Sequence, residues 1–127
     1  MSPAASRIVI TGLLLLLALA SGIWLSHTGK PINGAVFTVH KLVALAMVVS
    51  AGLTVHHLSK GADLRATALM AVGITGLLLL SLLVSGALLS IGKLAYLTVL
   101  GTHQVMAILV PVCAAVTAYL LAGGRSW

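Results

Sequence analysis

Acidic side chains are almost missing from this chain: Asp63 is the one carboxylate residue among 127. Catalysis by paired carboxylates acting as general acid and base is therefore excluded. Cysteine also occurs once, as Cys113. That rules out an internal disulfide framework and any cysteine-rich metal or iron–sulfur site within one chain, and leaves Cys113 best read as a small buried apolar residue. No glycine loop of the phosphate-cradling kind is present, and no nucleophile–base–acid set can be assembled. Charge of either sign is scarce, at 6% of residues. A soluble domain of this length needs a polar shell that these residues cannot supply.

What the chain has instead is hydrocarbon. Hydrophobic residues make up 61% of it, and the mean hydropathy is +1.23. Four apolar stretches stand out, at about 8–25, 36–58, 67–90 and 95–122. Each is near or above the ~20 residues that a helix needs to cross a bilayer. Between them lie Lys30, Pro31, Asn33 and Gly34, then Lys60, Gly61, Asp63 and Arg65, then Ser90, Gly92 and Lys93, which are turn and interface residues. The pattern predicts an all-α membrane protein, a four-transmembrane-helix bundle forming one domain over 1–127. Arg7, the apolar run after it and Ala18-Leu19-Ala20 also resemble a secretory signal with a small-residue cleavage site. The same run recurs far from the N-terminus, which favours a retained helix.

Four spans place both termini on one side. That side holds Arg7, Lys60, Arg65 and Arg125, against Lys30, Lys41 and Lys93 on the other. The positive-inside rule then favours cytoplasmic termini, in a bacterial or archaeal cytoplasmic membrane. Trp24 and Tyr96 are expected at the opposite interface, where amphipathic rings settle. The net charge of +6 suits topology and anionic lipid. It lacks the basic cluster that nucleic-acid binding requires.

The second half of the chain repeats the first. Residues 10–26 read ITGLLLLLALASGIWLS and residues 74–90 read ITGLLLLSLLVSGALLS, with twelve of seventeen positions identical at an offset of 64. The repeats run over about 8–61 and 72–124, each a helical hairpin. Because each unit has an even number of spans, a pseudo-twofold axis along the membrane normal is expected.

Each repeat carries one histidine at a corresponding place. His40 follows Gly22 by eighteen residues and His103 follows Gly86 by seventeen. His40 should lie about one turn inside the second span and His103 about two turns inside the fourth. Gly22 and Gly86, near the ends of the first and third spans, should fall at the same level. Ionisable residues within a membrane are costly and are candidates for function. Two imidazoles on diagonal helices can approach an iron from opposite faces, while glycines on the other two helices leave room for a porphyrin edge. The pattern therefore predicts one haem b per chain, with His40 and His103 as axial iron ligands and Gly22 and Gly86 against the macrocycle. Plainer explanations exist: Ser-Gly pairs commonly mark close helix packing, and a lone histidine in a membrane is often a hydrogen-bonded interface residue.

Of the other histidines, His27 falls in the outer loop as a possible proton acceptor or alternate ligand. His56 and His57 end the second span on the inner side, where the fourth offers Tyr119 and Leu120 and no matching ligand. Met47, Met70 and Met106 read as core fillers; Met106, one turn below His103, has a claim as a substitute ligand.

Ser21-Gly22 with His40, and Ser85-Gly86 with His103, make the chain resemble the transmembrane b-type cytochromes. That group contains the respiratory cytochrome b subunits, small cytochrome b quinol oxidoreductases and ferric reductase-like membrane proteins. The resemblance covers the whole chain in architecture, although its motifs are short. Ligand helices in that group often carry a second, deeper histidine, and His103 has no deeper companion here, which points to a single haem near the outer face. Three functions follow as expectations. The first is an electron carrier between a membrane donor, quinol or a partner subunit, and an outer-side acceptor. The second is a quinol-linked oxidoreductase acting on superoxide, oxygen or ferric ion. The third is a cofactor-free assembly subunit. A homo-oligomer through Gly12, Gly73 and Gly76 is left open.

Overall fold

Every apolar stretch becomes one long helix. The computed structural model describes residues 2–28, 33–60, 65–92 and 95–123. Its helices are α1 (Pro3–Thr28), α2 (Gly34–Ser59), α3 (Ala66–Ile91) and α4 (Tyr96–Gly123). All four are long and apolar enough to cross a membrane. At ~1.5 Å per residue, 26 residues extend ~39 Å, beyond the ~30 Å hydrocarbon core, so their ends reach the headgroup layer. Helices α1, α2 and α3 exceed the spans read from hydropathy, and capping residues mark the start of α1 and α2 and the end of α3. Ser2 precedes Pro3 and its Oγ accepts from the Ala5 amide at 3.2 Å, a cap followed by proline in the first turn. Asn33 Oδ1 accepts from the amides of Ala35 and Val36 at 3.0 and 3.3 Å. Gly92 closes α3 in the left-handed region, with φ 66, and its amide bonds back to the Leu88 carbonyl.

The chain divides into two units, Met1–His57 and Leu58–Trp127. The first is the α1–α2 hairpin, closed by two polar ties. Thr11 Oγ1 meets Ser50 Oγ at 2.7 Å and Thr54 Oγ1 at 3.1 Å, and Ser21 Oγ meets His40 Nδ1 at 2.9 Å. Rising numbers on α1 pair with falling numbers on α2, so the helices are antiparallel. The second unit holds the α3–α4 hairpin. There Thr75 Oγ1 meets Thr117 Oγ1 at 2.8 Å, and Ser85 Oγ meets His103 Nδ1, also at 2.8 Å. The Thr117 hydroxyl additionally reaches the Ala71 carbonyl. Thr11 and Thr75 occupy one repeat position, as do Thr54 and Thr117, so both hairpins are fastened by the same residues.

Small and hydroxyl-bearing side chains dominate the buried positions: Ala18, Thr54, Ala68, Thr75, Ser85 and Thr117, beside Met47, Leu58, Val110 and Leu121. Helices that associate in lipid gain by close backbone approach and interhelical hydrogen bonds, which these residues permit. Large apolar side chains such as Leu13, Leu16, Ile23, Leu77, Leu80 and Ile108 are exposed. Among the described residues no buried side-chain nitrogen or oxygen lacks a hydrogen-bond partner, as a low-dielectric surrounding demands.

Candidate functional site

Each hairpin carries its own candidate unit, a Ser-Gly pair on its first helix and a histidine on its second. His40 lies six positions after the start of α2 and His103 seven after the start of α4. Measured along their own helices the two depths are ~9 and ~10.5 Å. The gap of a turn read from hydropathy closes because α4 begins at Tyr96, later than its apolar run.

The imidazoles are half-buried and face their own serines. Ser21 Oγ lies 2.9 Å from His40 Nδ1 and also donates toward the carbonyls of Leu17 and Ala18, at 2.8 and 3.0 Å. Ser85 Oγ lies 2.8 Å from His103 Nδ1 and donates toward Leu82, at 3.1 Å. A ring held at Nδ1 has a fixed plane and a fixed direction for its other nitrogen, the orientation that metal-ligating histidines receive from a neighbouring group.

The glycines have a role here that sequence reading did not find. A Cβ built on Gly22 would stand 3.1 Å from His40 Cε1, and one on Gly86 3.4 Å from His103 Cε1. Glycine at 22 is thus what lets His40 lie against the neighbouring helix, close enough for Ser21 to reach Nδ1, while Gly86 leaves His103 the same approach with ordinary clearance. By contrast, among the described residues a Cβ on Gly12, Gly73 or Gly76 would meet nothing within 4 Å.

No family model, curated protein or solved structure matches the chain. Function therefore has to be argued from the site.

The remaining sequence candidates are placed as follows. His27 lies in the last turn of α1 and is exposed; it belongs to a helix and not to the outer loop, because α1 continues to Thr28. His56 is exposed and His57 half-buried, both in the last turn of α2 at the end away from His40. Met47 is buried, Met106 half-buried and Met70 exposed at 63%, so Met70 fills no core. Cys113 is half-buried, not fully buried as expected. Lys41 sets its ammonium 4.3 Å from the centre of the Phe37 ring one turn earlier, a cation–π contact. Lys30, Asp63, Lys93 and Arg125 lie outside the described residues. No cluster of three or more His, Cys, Asp or Glu occurs among the described residues; haem ligation asks for two.

The chemistry of the side chains, one imidazole in each hairpin, is that of an axial haem donor set. Each ring is held at Nδ1 by a serine, and each lies against a glycine of the neighbouring helix. Sequence reasoning missed the threonine ties, although Thr11 and Thr75 stand in the repeated segments and Thr54 and Thr117 are 63 apart, as His40 and His103 are.

Proposed function

We propose that this protein is a membrane haem b carrier. It would pass single electrons between a membrane donor, quinol or a partner subunit, and an acceptor on the outer side, with His40 and His103 as axial ligands of one haem. The observation that supports this best is the duplicated Ser-Gly/His unit, in which both serines reach Nδ1 of the histidine at 2.8–2.9 Å. An imidazole in hydrocarbon is costly. Two of them, kept through a duplication with the same partners, call for a ligand more than for packing alone. Bis-imidazole haem supplies a one-electron couple without an open iron position, which suits electron transfer.

The chain's own residues do the rest. Ser21 and Ser85 orient the rings, and Gly22 and Gly86 leave them room beside α1 and α3 and keep side chains away from the macrocycle. The apolar helices exclude water. Lys41, next to His40 in sequence, places positive charge near this end of α2, suited to haem propionates or an acidic partner.

The purified protein should show the absorption bands of a reduced b-type haem, at one haem per chain. His40→Ala and His103→Ala should each lose most of the bound haem, while His56→Ala and His57→Ala keep it. Carbon monoxide should not bind the reduced protein tightly. A protein that takes up no haem, or one that needs His56 and His57 but not His103, would overturn this function.

A further inference from the structure

In each hairpin a serine hydroxyl lies between a histidine Nδ1 and nearby helix carbonyls. A serine hydroxyl has a single proton and can accept through its lone pairs, whereas a neutral imidazole bears its proton on either Nδ1 or Nε2. Ser21 Oγ is within 3.0 Å of two carbonyl oxygens, Leu17 and Ala18, and Ser85 Oγ is 3.1 Å from that of Leu82. A carbonyl only accepts, so the hydroxyl proton belongs there. The contact to Nδ1, at 2.9 Å in one hairpin and 2.8 Å in the other, is then completed by a proton on Nδ1. The opposite assignment turns the hydroxyl proton away from the carbonyls and moves the ring proton to Nε2.

We infer that Ser21 and Ser85 are positioning residues that hold His40 and His103 in the Nδ1–H tautomer, so that Nε2 of each ring carries the lone pair and is the ligand nitrogen. What Nε2 is for rests on the haem function proposed above; the tautomer itself does not. The histidine is the ligand, the serine acts through it, and the helix carbonyl acts through the serine. An acceptor at Nδ1 also makes the ring more basic toward a metal, and loss of such a partner typically weakens metal affinity about 10–100-fold.

The test uses full-length protein in detergent or nanodiscs, with 15N-labelled histidine. Before haem is added, the spectra should show a protonated Nδ1 and an unprotonated Nε2 for His40 and His103, assigned by loss of each signal in the His→Ala variants. Ser21→Ala and Ser85→Ala should shift the corresponding ring toward a mixture of tautomers, and Ser→Thr, which keeps the hydroxyl, should restore it. In haem titrations each Ser→Ala variant should bind about 10–100-fold more weakly and have a higher reduction potential than the parent, with Thr again restoring both.

Predominantly Nε2–H rings in the parent protein would overturn the inference, as would a tautomer unchanged by Ser→Ala. If a Ser→Ala variant fails to fold, the parent spectrum still decides. If the parent binds no haem, the proposed function fails while the nitrogen spectrum independently decides the tautomer.

Discussion

The two glycines beside the imidazoles are not equivalent. The clearance of 3.1 Å at Gly22 is tighter than a methyl group normally tolerates, whereas 3.4 Å at Gly86 is near ordinary contact. Alanine also gains about 1 kcal/mol over glycine inside a helix. Gly86→Ala should therefore be neutral or slightly stabilising and keep its haem. Gly22→Ala must push aside a ring that Ser21 holds at Nδ1, and overpacking of this kind typically costs about 1–3 kcal/mol. Its expected result is a displaced His40 and several-fold weaker haem binding, read by titration and by the histidine 15N signals. Equal behaviour of the two variants would show that the clearance has no effect on the ligand. Gly86→Leu, far larger than alanine, should exclude haem while leaving both histidines in place.

At the level of the helix, the ties away from the histidines set how firmly each hairpin closes. Thr117 is 3% exposed and pairs with Thr75, so Thr117→Val leaves a buried hydroxyl without that partner. Thr54→Val takes one of two partners from Thr11, and Ser50 at 2.7 Å remains. Interhelical hydrogen bonds in membranes average about 0.6 kcal/mol and reach about 1.7. Thr117→Val should fall toward the upper end of that range and Thr54→Val toward the lower, measured by unfolding in mixed micelles. The helices themselves were legible in the sequence, with ends a few residues short near Ser2, Asn33 and Gly92. The faces were not. Leu13 and Leu16 are as apolar as Met47 and Val110, yet the first two are exposed and the last two buried. A helix in lipid is apolar all round and has no polar stripe to mark its outer side. The His40 and His103 positions were readable because they repeat, and the Thr54 and Thr117 positions repeat as well. Their contacts with Thr11 and Thr75 depend on rotation about each helix axis, which hydropathy does not encode.

For the molecule as a whole, four successive crossings by membrane-length helices would put Ser2 and Ser59 on one side of the bilayer and Gly92 on the other. The distribution of lysine and arginine favours the cytoplasm for the termini. With Cys113 replaced by serine, single cysteines at Ser2 and Ser59 should stay protected from an impermeant thiol reagent in intact cells, and one at Gly92 should react. The reverse pattern would invert the orientation and move the proposed acceptor to the cytoplasmic side. Protection of Ser2 with reaction of Ser59 would contradict an even number of spans.

The differing clearances at Gly22 and Gly86, and the cysteine at 113 where the first repeat has Ser50, bear on the ancestry of the chain. In a dimer of identical hairpins every mutation lands on both copies, so the two imidazole environments drift together or not at all. Fusion of two hairpins into one polypeptide removes that coupling. Selection can then alter the surroundings of His40 while those of His103 stay as they were. Asymmetry between the halves is therefore the expected mark of time elapsed since duplication, and it should be greatest in residues that contact neither a histidine nor its serine.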